Sequence, residues 1–337
     1  MPTVVDLFAG QGGFIAGFNR VRGWHHLVAV EIEEKHCSIL RQIFPGLNVL
    51  QEDVSKVDWE YELNGAEVDC VLGGPPCQPF SQGSNQQNGW DDPRNGIPAF
   101  VSTVKTINPK SFLLENVPRV WWKKHRHHIE KVINQFKEMG FKHTEAKVLD
   151  ADDYGTPCHR KRLFVYGTRF GHKWPEKTHA QNHEGSRKYL IPLLEARQPD
   201  GAPLPEWVKP KIKGTRGDII IDCKQGNKIG RQFVYLDEPC FTLVASQGIR
   251  HRIRLNGRYY RMRAAEAAAL QGMDPRCTIE GIGNAVNAWQ AEAWAKAIRD
   301  YLLRLKDEND SQEQYEQYEQ ARLFHTEITA LVQQTRS

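Results

Sequence analysis

The chain opens on a pattern that few folds can accommodate. Thr3 to Phe8 reads as a strand, Ala9-Gly10-Gln11-Gly12-Gly13 as a glycine loop, and Phe14 to Arg20 as the start of a helix. Strand, glycine turn and helix in that order begin a nucleotide-binding βαβ unit, which commits the chain to a largely parallel sheet. Leu27 to Val30 reads as a second strand closing on Glu31, and Val49-Leu50 as a third leading to Glu52-Asp53. Val68 to Leu72 gives a fourth, Phe112 to Leu114 a fifth, and Val132 to Met139 a helix stopped by Gly140. A carboxylate at the tip of the second strand is placed to accept hydrogen bonds from a ribose diol. The loop departs from the Gly-x-Gly-x-x-Gly fingerprint, which argues against a nicotinamide dinucleotide.

The fourth strand runs into Gly73-Gly74-Pro75-Pro76-Cys77-Gln78-Pro79-Phe80-Ser81. The glycines admit a sharp turn or close approach of a ligand, and the prolines stiffen the backbone around Cys77. A thiol in a stiff loop past a strand's carboxyl end can serve as a nucleophile; alone, it reads as well as a small core residue. Leu113-Leu114-Glu115-Asn116-Val117-Pro118 ends a second buried-looking strand on a carboxyl, and low dielectric there favours the protonated form. Tyr154 to Gly167 carries Arg160 and Arg162 two apart, on one face of an expected strand, suited to holding a phosphate or a base carbonyl. An ordinary surface hairpin is the plainer alternative.

Taken together these tracts resemble the cytosine carbon-5 methyltransferases. Pro-Pro-Cys-Gln-Pro-Phe-Ser matches the family's catalytic loop, Glu115-Asn116-Val117 its second catalytic signature, and Asp6-Leu7-Phe8-Ala9-Gly10 with Gly12-Gly13 its S-adenosylmethionine loop. The resemblance implies an α/β fold: a Rossmann-like methyltransferase sheet with a second, smaller, irregular β-rich target-recognition domain. It implies Cys77 as nucleophile, Glu115 as the acid at ring nitrogen 3, and Arg160 and Arg162 as their supports. It implies a cofactor set of Asp6, Phe8, Gly10, Gly12, Gly13, Glu31, Ile32, Asp53, Val54, Pro76, Asn284 and Ala285. Phe8 would lie against the adenine, Glu31 on the ribose and Asp53 on the exocyclic amine. From the residues alone Phe8 reads equally as core and Asp53 as a helix N-cap. Four positions depart from the family: Cys158 and Gly281 stand where glutamine is usual, Asn287 where proline is, and Ala265 where arginine commonly precedes Glu266.

From Phe170 to Tyr260 prolines and glycines punctuate the chain and no long helical period appears, matching the position of the recognition domain. Catalytic residues 1–169 with 262–305, recognition residues 170–261 and a C-terminal helical extension 306–337 are the expected units. Thr242 of Pro239-Cys240-Phe241-Thr242-Leu243 would bind phosphate, with strand packing as an equal reading. Ser81, Gln82, Ser84 and Arg94, in the polar stretch after the nucleophile, are expected to reach DNA as a closing loop. Arg263 to Gly272 reads as a helix, and Asn287 to Leu305 as a last one that completes the first domain.

Net charge is only +4, but Arg250, Arg252, Arg254, Arg258, Arg261 and Arg263 crowd together with Tyr259 and Tyr260, and Lys123, Lys124 and Arg126 follow Trp121 and Trp122. Such patches suit a phosphate backbone, or are simply solvated faces. The seven cysteines are widely spaced with no Cys-x-x-Cys, and the histidines at 125, 127 and 128 lack companions, so a basic surface and no metal is the reading. No apolar run approaches a membrane span and no secretory leader is visible, which predicts a cytoplasmic protein; the resemblance implies a monomer, nucleoid-associated in a prokaryotic host or phage-encoded. Double-stranded DNA is the expected partner, with a cognate restriction endonuclease implied. A tRNA methyltransferase of the same fold and a catalytically silent DNA-binding relative are the alternatives.

Overall fold

The computed structural model describes residues 1–76, 90, 94–179, 183–223, 232–245 and 250–306. Cys77, Ser81, Gln82, Ser84 and the extension 307–337 lie outside them. Strands β1 (Thr3–Leu7), β2 (His25–Glu31), β3 (Val49–Gln51), β4 (Cys70–Gly73), β5 (Ser111–Asn116), β6 (His143–Asp150) and β7 (Lys161–Thr168) form one seven-stranded sheet in the order β3-β2-β1-β4-β5-β7-β6. The pairings among β1 to β5 are parallel, and β7 inserts antiparallel between β5 and β6. Helices α1 (Gly13–Phe18), α2 (Glu34–Ile43), α3 (Trp59–Leu63), α4 (Ile97–Ile107) and α5 (Arg126–Glu138) fill the connections. The strand order reverses direction between β1 and β4, and the crevice beyond their carboxyl ends is where such sheets take ligands.

Alternation along the strands builds two cores. Val5, Leu7, Val71, Phe112, Leu114, Leu163 and Val165 face α4 and α5, where Phe100 and Phe136 pack on Phe112. Val4, Cys70, Leu72, Leu113, Phe164 and Tyr166 face the other way, onto α1 and a last helix, α9, over 288–306 that contributes Trp294, Ile298 and Tyr301. Two-sided burial of this kind requires the near-continuous apolar strands seen in the sequence.

A smaller antiparallel sheet, β11-β10-β8-β9, comprises β8 (Ile219–Asp222), β9 (Phe233–Tyr235), β10 (His251–Leu255) and β11 (Arg258–Arg261). Its apolar side shares one core with Leu190 and Leu194 of α6 (Arg187–Glu195), with α7 (Ala264–Gln271) and with Ile282 of α8 (Ile279–Asn284). The core therefore runs past residue 261: α7 and α8 pack with the small sheet, and the chain rejoins the large sheet at α9. Arg197 in the small unit grips Glu266 of α7 at 2.9 Å.

Local expectations shifted in three places. Helix α5 starts at Arg126, not Val132, because Ile129, Val132 and Phe136 continue one buried stripe that the histidines mask. Helix α6 occupies a stretch where no helix was expected; it forms despite Pro192 because Leu190 and Leu194 are completely buried. The arginine run is only in part structural: Arg250 pairs with Asp222 at 2.6 Å and Arg254 bonds the carbonyls of Thr215 and Gly217, while Arg258, Arg261 and Arg263 are exposed.

Candidate active site

Two loops face each other across the β1/β4 crevice. The first, after β1, turns at Phe8 (φ 56°), Gly10 (φ 56°) and Gly12 (φ 85°), a left-handed run that is strained for Phe8. Glu31, at the tip of β2, holds this loop: its carboxylate accepts the Gly10 N–H at 2.8 Å and the Glu33 N–H at 2.9 Å. Burial raises the Glu31 pKa, but bonds from His36 and those two amides outweigh it and leave the carboxyl below its usual range. A Cβ added at Gly10 would meet nothing within 4 Å, so the loop borders open space. Ile32, beside Glu31, leaves 58 % of its surface exposed at the same edge.

The second loop begins at Gly74. The Asn116 side chain donates to the Pro75 carbonyl at 3.2 Å, and the Gly96 N–H donates to that of Pro76 at 3.2 Å. Prolines lack an N–H, so these carbonyl bonds fix the segment. A Cβ on Gly96 would lie 2.7 Å from Pro76 and 3.2 Å from Phe8, so Phe8, Gly96 and Pro76 close one side of the cradle. Gly13 allows the opposite side to close: a Cβ there would sit 2.4 Å from the Val286 carbonyl and 3.0 Å from Ala285. Asn284 is exposed at the end of α8 and Ala285 is half-buried. The C-terminal block thus returns to the glycine loop as expected.

Val54 is buried behind the cradle. Asp53 caps the short turn at Val54–Lys56, its carboxylate accepting the Ser55 N–H and hydroxyl at 2.9 and 2.8 Å, which lower its pKa. The N-cap reading of Asp53 is therefore realised. Asp6 is enclosed beneath the glycine loop with neither carboxyl oxygen hydrogen-bonded, and burial followed by repulsion from Glu31 pushes it up to about 8.

Glu115 is fully enclosed at the end of β5. One carboxyl oxygen lies 2.9 Å from Arg162 Nε, and the other 3.3 Å from where a Cβ on Gly74 would stand. The Arg162 contact is an ion pair without hydrogen-bond alignment, so Oε1 still has an unused acceptor direction. Burial raises the Glu115 pKa, and the arginines at 162 and 160 only partly offset it. A carboxyl held beside both the Gly74 loop and a guanidinium, with burial raising its pKa, keeps its proton to higher pH than a free carboxyl does.

Arg160 and Arg162 were expected to share one strand face and one task. Arg160 precedes β7 and is completely buried; its guanidinium donates to the carbonyls of Leu243, Gly283 and Ala285 at 3.1, 2.9 and 2.6 Å. It clamps the small unit and the cofactor-side segment onto β7, while Arg162 alone reaches Glu115. Thr242 lies outside any strand and donates its hydroxyl to the His159 carbonyl at 2.6 Å. Arg94 is exposed.

Gln11, a residue without an assigned role in the sequence reading, completes the frame together with the departures at 158, 281 and 287. Gln11 is buried, and its amide accepts the Thr278 N–H and donates to the Thr278 hydroxyl, both at 2.8 Å. A Cβ on Gly281 would fall 2.1 Å from the Gln11 amide carbon. Gln11 thus fills the space in front of residue 281, the position where the family carries glutamine. Asn287 caps α9, accepts the Thr156 hydroxyl and donates to Gln271. Cys158 packs against Cys240, both fully buried. Among the described residues one cluster has metal-ligand character, Asp150, Asp152 and His159, and no helix is long and apolar enough to cross a membrane.

Comparison with known proteins agrees with this geometry. The family model for C-5 cytosine-specific DNA methylase matches residues 2–330. Type II methyltransferase M1.HphI of Haemophilus parahaemolyticus is 39 % identical over 202 residues, 58 % of this chain and 54 % of the relative, so that match spans about half the relative's length. Type II methyltransferase M.NgoMIV of Neisseria gonorrhoeae is 29 % identical over 91 % of this chain and 99 % of its own. The fold is shared with the Entamoeba histolytica methyltransferase EhMeth, at TM-score 0.65 and 16 % identity over 90 % of this chain and 99 % of that one. S-adenosylmethionine is the methyl donor of the matched family. The chain belongs to the C-5 cytosine-specific DNA methylases.

Proposed function

We propose that this chain transfers a methyl group from S-adenosylmethionine to carbon 5 of a cytosine flipped out of a specific double-stranded DNA sequence, through a covalent Cys77 adduct. The observation that carries the reading is the placement of the Gly74-Pro75-Pro76 segment. It touches Glu115 and Asn116 on one side and the Phe8–Gly96 cradle on the other. Residue 77 follows Pro76 by one peptide link, about 3.8 Å between Cα atoms.

The cradle suits the proposed cofactor. Half-buried Phe8 and exposed Ile32 offer apolar faces for adenine, the Glu31 carboxylate retains lone pairs for a ribose diol, and Asp53 has the second oxygen of its carboxyl to offer an exocyclic amine. Asp6, a buried acid without a partner, would regain its charge on approach of a cation such as the methionyl ammonium. S-adenosylmethionine, when bound, supplies an electrophilic methyl.

The chain's own residues do the rest. The cytosine must leave the stack because its reactive carbons are inaccessible inside a duplex. Cys77 thiolate adds to carbon 6 while Glu115 hands its proton to ring nitrogen 3, which draws charge away from the ring. Arg162 donates to the base oxygen and keeps Glu115 oriented. After carbon 5 accepts the methyl, a base removes the carbon-5 proton, the thiolate leaves carbon 6, and ring nitrogen 3 returns its proton to Glu115. The small unit supplies recognition contacts, and Arg160 and Thr242 position its junction. The enzyme acts as a monomer, at the nucleoid of a prokaryotic host, with a cognate restriction endonuclease as functional partner.

Bisulfite sequencing of DNA from cells expressing the chain should reveal 5-methylcytosine in one short sequence. Duplexes carrying 5-fluorocytosine in that sequence should trap the protein covalently when the cofactor is present. Absence of both would refute the reading.

A further inference from the structure

Below the catalytic residues, between the end of β6, the start of β7 and the 240–242 segment, lies a cavity of about 710 Å3. Its charges are layered. The carboxylates form the floor: Asp150, Asp152 and Asp153 have side chains only 14, 5 and 15 % exposed. The nitrogen-bearing side chains form the rim: His159, Lys177 and His183 are 54, 53 and 38 % exposed. Arg162, which reaches Glu115, borders the same cavity.

His159 is the best-fixed member of this rim. Its N–H donates to the Cys240 carbonyl at 2.9 Å and its carbonyl accepts Thr242 at 2.6 Å, while the next residue is the buried clamp Arg160. Its ring Nδ1 lies 2.7 Å from Asp152 Oδ2 and 3.8 Å from Asp150 Oδ2. Asp150 is itself held by the Arg160 N–H at 2.7 Å. With Nδ1 committed to carboxylates, the ring's other donor, Nε2–H, is left for the cavity. Bonds to Asp150 and Asp152 push the imidazole up to about 10, so the donor stays charged throughout the working range. A rigid, charged, half-exposed donor two residues from the catalytic arginine has no use in the methyl-transfer steps.

We infer that His159 is a phosphate-binding residue, donating Nε2–H to a phosphodiester oxygen of the duplex beside the flipped cytosine. The inference rests on the DNA reading above. Lys177, paired with Asp153 at 2.7 Å, adds a second positive group to the same rim. Asp150 and Asp152 hold the donor's direction and charge through its Nδ1, the side of the ring opposite Nε2. The groups around the ring that could alter its titration are Asp150, Asp152, Asp153, Lys161, Arg162, Lys177 and His183. A divalent cation is the competing occupant, but the 2.7 Å His159–Asp152 contact is a direct hydrogen bond, shorter than the ~3.3 Å that separates two ligands sharing a tetrahedral ion with 2.0–2.1 Å bonds.

The test uses the full chain, labelled unmethylated duplex and S-adenosylhomocysteine, with EDTA or zinc in parallel arms. His159→Gln should weaken duplex binding and raise KM for DNA roughly 5- to 20-fold, with kcat at saturating DNA within about twofold. Affinity for the cofactor should not change, and His159→Lys, which keeps a cation, should retain most of the binding. Asp152→Asn supplies the readout that a purely structural role would not move. Wild-type binding should stay flat between about pH 6.5 and 8.5, whereas Asp152→Asn should lose about threefold or more as the imidazole titrates nearer its ordinary value. Unchanged DNA binding in His159→Gln, a loss confined to kcat, or a large response to EDTA or zinc would overturn the inference. Failure of the wild type to bind or methylate any duplex would instead overturn the DNA reading itself.

Discussion

The exchange of glutamine between positions 281 and 11 makes a prediction whose sign depends on background. Gln11→Ala removes two hydrogen bonds to Thr278, the residue that caps α8, and leaves a void in a buried site. At roughly 0.5–1.5 kcal/mol per bond plus about 1 kcal/mol for the void, the cost is about 2–4 kcal/mol. Gly281→Ala in the wild type drives a methyl to 2.1 Å from the Gln11 amide carbon, an overpacking cost of about 1–3 kcal/mol. In the Gln11→Ala background that space is empty, and alanine within α8 should gain about 0.5–1 kcal/mol over glycine. The coupling between the sites is therefore about 1.5–4 kcal/mol. At about 2 °C per kcal/mol for a chain of this size, it should appear in thermal melts as a non-additivity of about 3–8 °C. Because α8 leads to the cradle-closing segment at Ala285, cofactor affinity by calorimetry should follow the same order. If Gly281→Ala lowers Tm equally in both backgrounds, Gln11 does not occupy the place assigned to it.

Other expectations are simpler. Cys77→Ser should abolish turnover and fluorocytosine trapping while duplex and cofactor binding persist; methylation at the native rate would sink the nucleophile assignment. Arg160→Met, which frees three buried carbonyls, should lower Tm by roughly 6 °C or more or prevent folding, whereas Arg162→Met should fold and lose kcat; similar melts for both would contradict the division of labour. Glu115 has a raised folded pKa, so the stability it contributes is complete below its unfolded value and declines as pH rises toward the folded one. If its protonated form acts on the base, kcat should decline over the same direction of pH. Arg162→Met, by removing the larger of the two offsetting charges, should move that limb to higher pH; a shift to lower pH would refute the proton assignment.

The sequence by itself determined the five parallel strands of the large sheet and the glycine loop after the first, though not β6. Glycines at 10, 12 and 13 and a carboxylate at 31 are local demands: left-handed turns, close backbone approach and a strand tip can be read from neighbours in the chain. Glu115 was legible for the same reason, as the polar end of an apolar strand. Tertiary structure alone decided which arginine of Arg160 and Arg162 reaches the carboxyl, because two similar side chains two residues apart acquire their partners from segments beyond residue 240. It also decided that α7 and α8 join the small sheet's core, that Gln11 stands in front of residue 281, and that His159 is clamped between Asp152 and Thr242. Each of these depends on contacts between residues far apart in the chain, and side-chain periodicity carries no information about a partner it does not adjoin.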